Sequence, residues 1–158
     1  MALIERIQNR PDAKYWPGKI PMTYIYTAGR AGEAFFKKLR DQGKFIGARC
    51  ENCDMTYFPP RIFCERCFDR IEGNWVNIKN RGVVHTLTIS HETYDEQPHK
   101  TPTIVAFIRF EDTDGGMFHR LGDVDYEDCY IGMPVEAVLQ PKNKRKGGIL
   151  DIKFFRPL

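Results

Sequence analysis

Four of the five cysteines fall within one short stretch, "CENCDMTYFPPRIFCERC", as two Cys-x-x-Cys pairs. The pairs are Cys50 with Cys53 and Cys64 with Cys67, and ten residues separate the first pair from the second. A Cys-x-x-Cys turn holds two sulfurs about 3.5–4 Å apart, and two such turns supply the four tetrahedral thiolate ligands that zinc prefers. The spacing therefore predicts a zinc site in a ribbon, and iron is the alternative metal for the same ligand set.

A site with four thiolates has no open coordination position, so the predicted metal is structural rather than catalytic. The metal replaces the hydrophobic core that a segment of about twenty residues cannot build. Many such turns carry Gly directly after the second cysteine, but Asp54 and Phe68 occupy these places here. We expect turns that are less relaxed but still bind metal.

The residues before the cysteine stretch divide into an arm and a helix. Residues 1–30 contain Pro17, Pro21 and several aromatic side chains, which predicts an extended arm that lies on its own domain or on a partner. The periodicity of "AGEAFFKKLRDQ" predicts a helix over about 31–42 that ends at Gly43. Phe35 and Leu39 favour a helix packed on its own core, with a partner-docking helix as the alternative.

The residues around and after the cysteines alternate as strands do. "KFIGARC" and "NWVNIKN" predict short strands on either side of the metal site, and about five further strands without a helix between them predict a small antiparallel barrel. Alternation places four side chains on one face of the first of these strands: Val83, His85, Leu87 and Ile89. It also places two sets of side chains opposite one another near the end of the chain: Val135, Ala137 and Leu139 against Leu150, Ile152 and Phe154.

Composition and charge limit the class of protein. The chain has 158 residues, 42% hydrophobic and 28% charged, which is typical of one globular domain or two very small ones. The formal charge is +3, and a zinc ion with four thiolates would reduce it to about +1, which weakens the case for nucleic-acid binding. No stretch resembles a signal peptide or a membrane span, so we expect a cytoplasmic protein without membrane contact.

The order of these motifs resembles a known family. A helix, "YFPPRIFCERC" with its partner Cys-x-x-Cys turn, a Trp and a terminal barrel are similar to the zinc-ribbon plus OB-fold proteins that accompany thiolases and related acyl-CoA enzymes. "YTAGRAGEAFF", "HRLGDVD" and "GGILDIKFF" resemble the members that are dedicated thiolase subunits. The resemblance implies a mainly β protein with an arm and helix (1–43), a rubredoxin-like zinc ribbon (44–75) and an OB-fold barrel (76–158).

The resemblance also implies a function. It implies a non-catalytic subunit that binds a thiolase-fold partner and helps to form its acyl-CoA site, or that bridges two enzymes. The partner would cleave a β-ketoacyl-CoA, an aromatic one such as benzoylsuccinyl-CoA being a candidate, or condense two acyl-CoA units in reverse. The residues agree on one point: four cysteines are committed to metal, and Cys129 lies among acidic residues that would raise its pKa, so we expect no catalytic residue in this chain.

Candidate contact residues come from three segments. For the partner surface we expect the arm and helix to contribute Tyr24, Tyr26, Phe35 and Phe36. His119 and Arg120 lie in "HRLGDVD". By analogy with the family they contact the partner or CoA, and the alternative is an ordinary surface or core role. The cations of "KNKRK" are either a solvated loop tip or a site for the phosphates of CoA: Lys142, Lys144, Arg145 and Lys146.

Two other functions stay open. OB-folds also bind single-stranded nucleic acids by stacking bases on aromatic side chains, and Phe107, Phe110, Phe118, Phe154 and Phe155 fall in barrel strands. The acidic stretches "FEDTDGG" and "DVDYED" oppose this alternative, and filling the barrel is the ordinary role of such aromatics. An interaction adaptor without any CoA contact is the third possibility.

Overall fold

The computed structural model describes residues 26–92 and 98–158, so Tyr24 and the rest of the arm before Tyr26 lie outside the described residues. The described part contains helix α1 (Gly29–Gln42) and strands β1 (Phe45–Cys50), β2 (Met55–Tyr57), β3 (Trp75–Ile78), β4 (Arg81–Glu92), β5 (Pro98–Phe110), β6 (Gly116–Arg120), β7 (Pro134–Leu139) and β8 (Ile152–Pro157). Within these residues, no helix is both long enough and apolar enough to cross a membrane.

Helix α1 begins at Gly29, two residues before the predicted start, and ends where the sequence predicts. Gly43 follows it with φ 65°, and its N–H donates to the carbonyl of Leu39 at 2.9 Å. This left-handed conformation is easily adopted by glycine, which explains why the helix ends here. Phe35 and Leu39 are buried against the core, so the core-packing interpretation of these two side chains is correct.

The strands form two antiparallel sheets. The smaller one has the order β2-β1-β3 and carries the cysteine turns, and the larger one has the order β6-β5-β4-β7-β8. A bridge between Leu121 and Phe155 brings the end of β6 against β8, and the N–H of Gly122 donates to the carbonyl of Phe155 at 2.8 Å. This contact closes the five strands into a barrel, which confirms the mainly β fold with a C-terminal antiparallel barrel.

The prediction of which side chains of β4 face the core is wrong for the first half of the strand. Val83 and His85 are exposed, and the core face here carries Gly82 and Val84. The reason is a β-bulge: Val84 pairs with Ile108 and Thr86 with Phe107, so His85 is an extra residue without a partner on β5. An extra residue reverses the alternation, and only the positions after the bulge, such as Leu87, lie on the predicted side.

The predicted pairing of β7 with β8 needs a similar correction. Val135 and Ala137 are buried as expected, but Leu150 is exposed and lies before β8. Val138 pairs with Phe154 and Leu139 with Ile152, so Lys153 is the extra residue on β8. The core side chains of this strand are consequently Ile152 and Phe155, while Phe154 is only partly buried.

One aromatic cluster joins the helix, the small sheet and the barrel. The ring of Phe45 on β1 lies 5.9 Å from Phe35 on α1, 5.7 Å from Phe58 after β2 and 5.8 Å from Phe110 on β5, measured between ring centroids. Phe155 on β8 lies 6.0 Å from Phe110. Such pairs stabilise a core beyond the area they bury, so residues of all three parts contribute to one large hydrophobic core. A second, smaller cluster surrounds the cysteines: Ala48, Cys50, Tyr57, Cys64 and Ile71.

Candidate metal centre and basic groove

The four clustered cysteines converge at one end of the small sheet. Cys50 is the last residue of β1, Cys53 lies in the turn to β2, and Cys64 and Cys67 lie in the connection from β2 to β3. Their four Sγ atoms all lie within 4.8 Å of one another, and those of Cys50 and Cys67 are 3.5 Å apart. The structure thus brings together the four side chains that the spacing predicted as metal ligands.

The chemistry and size of this thiol set fit zinc. A Zn–S bond of about 2.3 Å in a tetrahedron puts the sulfurs about 3.8 Å apart, which agrees with the observed cluster. Cys50 and Cys64 are buried, while Cys53 and Cys67 are partly exposed. A metal ion can therefore reach the site from the side of Cys53 and Cys67, and once bound by four sulfurs it has no open position for a substrate. The four cysteines are therefore positioned to hold a structural metal ion, as expected.

Both cysteine turns contain a left-handed residue directly after the second cysteine. Asp54 has φ 53° and Phe68 has φ 61°, at the two places where glycine is usual. Asp tolerates this conformation, and its carboxylate forms an ion pair with Arg49. Phe68 has no such compensation and its side chain is 78% exposed, so the second turn carries about 1 kcal/mol of backbone strain.

Tyr57 is a functional side chain that the sequence analysis missed. Its hydroxyl oxygen lies 3.2 Å from the Sγ of Cys64 and accepts the backbone N–H of Glu65 at 3.3 Å. The side chain is 2% exposed, and the Sδ of Met55, at 3.4 Å, is a second sulfur to which this hydroxyl can donate. When Cys64 is a thiolate the hydroxyl donates to it, as partners of metal ligands do. Its place seven residues before Cys64 follows no ligand-spacing rule, so the sequence offered no signal for it.

These contacts make the thiol of Cys64 more acidic than an ordinary cysteine thiol. The backbone N–H of Cys67 and the Tyr57 hydroxyl lower the pKa of Cys64 to about 6. Burial raises the pKa of Tyr57 to about 12, so its proton stays on the hydroxyl and is available for donation. The lowered pKa favours the thiolate form of Cys64, which is the form that binds a metal ion.

Polar contacts fix the metal site relative to the barrel. Asn52 in the first turn donates to the carboxylate of Asp69 beyond the second turn, which ties the two turns together. The N–H of Thr56 donates to the carboxylate of Asp114 at 2.8 Å, and the N–H of Asp114 donates back to the carbonyl of Thr56 at 2.8 Å. This reciprocal pair attaches β2 to the loop between β5 and β6.

The basic segment "KNKRK" forms part of the connection from β7 to β8, and a buried carboxylate orders it. Asp151 is 3% exposed and accepts the N–H of Lys146 at 2.8 Å and the N–H of Gly147 at 2.7 Å. Arg145 lies over Gly43 and donates from its Nε to the carbonyl of Gln140 at 2.7 Å. Arg145 is thus occupied with holding the loop against α1, while Lys142 and Lys144 are exposed.

The loop and the helix together form a groove that we call the basic groove. Its volume is about 590 Å³, and its lining includes Phe36 and one carboxylate, Glu33. The lining also includes four cations from two distant segments: Arg30, Lys37, Arg40 and Lys146. Arg30 pairs with Glu72 and Arg40 with Asp41. Lys37 and Lys146 make no ion pair within residues 26–92 and 98–158, so their charges are available to an anion.

The other predicted contact residues are scattered. Tyr26 is exposed before the helix, and Phe36 is half-buried in the basic groove. Phe35 is 3% exposed, so its side chain is in the core and not at the surface. The His119 ring lies against Phe155 at 5.6 Å near the seam between β6 and β8, and burial lowers its pKa. Arg120 is exposed on the other face of β6.

The aromatics of the barrel strands do not all fill the barrel. Phe110 and Phe155 are buried in the core, but Phe118 on β6 is 70% exposed. Its ring centroid lies 4.9 Å from that of Phe107 on β5, and both rings point away from the core.

Burial and the neighbouring Asp128 and Asp125 raise the pKa of the Cys129 thiol, as expected from its acidic surroundings.

Comparisons with known proteins agree with this architecture. Residues 38–72 match the family model of the ChsH2 rubredoxin-like zinc ribbon domain, and residues 75–140 match that of the ChsH2 C-terminal OB-fold domain. A structure described as an Ltp2-ChsH2(DUF35) aldolase is similar in fold, with a TM-score of 0.58 and 22% identity over 79% of this chain and 93% of that one.

Two relatives are more similar in sequence. A DUF35 domain-containing scaffold protein of Methanocaldococcus jannaschii is 29% identical over 125 residues, which are 78% of this chain and 88% of the relative. A crystal structure of a DUF35 protein of unknown function from Sulfolobus solfataricus is 32% identical, covers 70% of this chain and 78% of that one, and has a TM-score of 0.61. The chain therefore belongs to the DUF35 family, as a ChsH2-type zinc ribbon followed by a ChsH2-type OB-fold.

Proposed function

We propose that this protein is an accessory subunit of a thiolase-type enzyme and that it helps its catalytic partner to bind an acyl-CoA. The names of two similar proteins support the first half of this proposal: one is called a scaffold protein, and the other is described together with Ltp2 as an aldolase. A scaffold or companion subunit acts by binding an enzyme. The thiolase-type chemistry follows from the resemblance of the sequence motifs.

The basic groove is the observation that carries the acyl-CoA half of the proposal. CoA bears a diphosphate and a 3′-phosphate, and a groove of about 590 Å³ that is lined by Lys37, Lys146 and Phe36 suits such a group. The buried carboxylate of Asp151 holds the backbone beside Lys146, so that the cation is presented by an ordered loop. A preformed site binds its anion without an ordering cost.

The thiols of this chain support a non-catalytic role. A thiolase reaction needs a cysteine nucleophile activated by a neighbouring base. Four cysteines here surround a metal site, and the fifth, Cys129, has a raised pKa. We therefore assign the nucleophile to the partner.

The first experiment is purification of the protein from its native host under mild conditions, followed by identification of what accompanies it. We expect a stoichiometric thiolase-fold protein, and CoA-dependent cleavage of a β-ketoacyl-CoA that falls when the DUF35 chain is removed. A fraction without such a protein, or activity that is independent of this chain, would contradict the accessory role.

The groove is tested separately with CoA and dephospho-CoA on the purified complex. Lys146→Glu should weaken CoA binding by about tenfold, since each lost cation–phosphate contact costs about 1.4 kcal/mol. Lys144→Glu is the matched control, because it makes the same charge change in the same loop but Lys144 does not line the groove. Equal effects of the two variants would mean that only the overall charge matters.

Single-stranded nucleic acid is the second candidate ligand, and the exposed ring of Phe118 beside Phe107 favours it. Acidic segments lie on both sides of β6, however, with Glu111, Asp112 and Asp114 before it and Asp123 and Asp125 after it. These carboxylates would repel a polyanion such as a nucleic acid. Nucleic acid in the purified fraction that is lost steeply with rising salt would favour this candidate.

A further inference from the structure

The outer surface of the barrel carries an exposed apolar strip that the fold does not use. The strip runs across β4, β5 and β6, and we call it the outer face: Val83, His85, Phe107, Arg109, Phe118 and Arg120. Phe118 pairs with Phe107 across the strands, and the ring of His85 lies 6.1 Å from that of Phe107. With 70% of Phe118 and 44% of Val83 exposed, this surface leaves large apolar side chains in water.

The outer face continues into a groove at one end. Val83 and His85 also line a groove of about 750 Å³ between β4, the end of β5 and the C-terminal Leu158. Leu158 is 59% exposed, and Pro134 adds a further apolar side chain to the lining. The exposed aromatic pair of Phe118 and Phe107 and the groove beside Val83 are therefore continuous, because His85 contacts Phe107 and also lines the groove.

The charges on the outer face are of one sign. Arg109 and Arg120 are exposed and make no ion pair with any residue that the structure describes. Arg120 pairs with Val105, four residues before Arg109 on β5, so the two cations lie roughly 13 Å apart on either side of the aromatic pair. At the groove end, Glu111 pairs with Lys79 at 3.0 Å, and Asp112 is a second carboxylate in the lining. The complementary surface is apolar, with carboxylates placed to meet the two arginines.

We propose that the outer face docks the catalytic partner, through an apolar patch of that partner that is bordered by carboxylates. This proposal rests on the accessory-subunit function proposed above and names the surface that performs it. Aromatic side chains that become buried on binding, together with arginines, contribute most of the binding energy in many protein interfaces. The acidic segments at both ends of β6 favour a protein over a nucleic acid as the occupant.

The test uses the full-length zinc-loaded chain and the thiolase-fold protein that accompanies it in the native host. Phe118→Glu should raise the dissociation constant of this complex at least about 30-fold, the effect of losing a central aromatic contact. Arg109→Glu with Arg120→Glu should lower the association rate, most strongly at low salt. The control is Phe68→Gly, which removes an equally exposed aromatic from the ribbon, and it should leave the affinity unchanged.

Zinc content and thermal melting of each variant show that it is folded. Hydrogen exchange of the wild-type complex adds a measurement without mutation, and protection of β6 and of residues 81–85 is expected. Normal affinity of Phe118→Glu, or unprotected β6 in an intact complex, would overturn the docking surface but leave the accessory function standing. If the wild-type chain binds no thiolase-fold protein, both proposals fail.

Two further outcomes would assign the outer face to another occupant. Sedimentation of the purified chain would overturn the proposal if it shows a dimer that Phe118→Glu dissociates. Fluorescence anisotropy with labelled 15-mers of oligo-dT and oligo-U would overturn it in favour of nucleic acid if binding persists at physiological salt and Phe118→Glu abolishes it. We expect a monomer and no such binding.

Discussion

The hydroxyl of Tyr57 lies 3.2 Å from the Sγ of Cys64, so a buried side chain of β2 contacts a metal ligand of the second cysteine turn. The same hydroxyl accepts the N–H of Glu65, the residue after that cysteine. Tyr57 therefore orients both the ligand and the turn that carries it. Partners of this kind tune metal affinity although they never touch the ion.

Tyr57→Phe should weaken zinc binding by about tenfold while the fold is kept, because partners of metal ligands contribute about 10–100-fold in affinity. Competition with a chromophoric chelator measures the affinity directly. Tyr130→Phe removes a hydroxyl from an exposed loop tyrosine and should change nothing. An unchanged affinity for Tyr57→Phe would mean that the hydroxyl serves packing alone.

Phe68→Gly should stabilise the protein. The left-handed φ of 61° costs about 1 kcal/mol for Phe and nothing for Gly, and the exposed ring contributes little burial. After the entropy cost of glycine, we expect a gain of about 0.5 kcal/mol and a melting temperature higher by about 1–2 °C. Phe63→Gly, an exposed aromatic of the same segment without a left-handed φ, should lower it. A loss of stability in both variants would contradict the proposed backbone strain at Phe68.

Gly115→Ala should strongly destabilise the protein. A Cβ at Gly115 would lie 2.2 Å from the carbonyl oxygen of Phe58, and backbone on both sides cannot withdraw. We expect a loss of about 2–3 kcal/mol in the free energy of unfolding, measured in urea. Gly148→Ala meets no atom within 4 Å and should change stability by less than about 0.5 kcal/mol. Similar curves for the two variants would show that the ribbon and barrel are not in tight contact here.

Asp151→Asn should loosen the loop that presents Lys146. The buried carboxylate accepts two backbone N–H groups, and an amide has only one oxygen to offer. We expect a loss of about 1–3 kcal/mol in unfolding free energy and weaker binding of CoA by the complex. Asp128→Asn, an exposed carboxylate, is the control. If the Asp151→Asn variant is destabilised but binds CoA as tightly as the wild type, the loop that carries Lys146 is not part of the anion site.

His119 predicts part of the pH dependence of stability. Burial lowers its pKa, so the folded state holds this proton less tightly than the unfolded chain, whose value is about 6.5. The stabilisation is therefore complete above about pH 6.5 and is lost as the pH falls through the folded value. The melting temperature of His119→Asn should fall less than that of the wild type between pH 7.5 and 5. Equal falls of the two melting temperatures would contradict a lowered pKa of His119.

The sequence predicted the parts of the protein that depend on local spacing. Two Cys-x-x-Cys turns are sufficient to define the metal ligands, because four thiolates at that spacing have few other uses. Gly43 ended the helix as predicted, since a left-handed residue after a periodic segment is a local event. The five barrel strands followed from alternation with turns between them.

The errors arise where one residue changes the register. His85 and Lys153 are the extra residues of two bulges, and each reverses which side chains are buried afterwards. A bulge has no signature in a single sequence, so Val83 and Phe154 were predicted on the wrong side. Leu150 is exposed for another reason, because it lies in the 3-10 turn Ile149–Asp151 before β8. The basic groove was half-predicted: Lys146 was a candidate, but Lys37 and Arg40 join it only because the loop folds against α1.

The aromatic cluster around Phe45 has a consequence for how the protein responds to metal supply. Because the ring of Phe58, next to the metal ribbon, lies 4.6 Å from that of Phe110 in the barrel, the two parts lose their packing together. Any ion that binds only the native thiol set therefore shifts the folding equilibrium of the whole molecule by mass action. We therefore expect that removing the ion with a chelator lowers the melting temperature of the barrel as well as that of the ribbon.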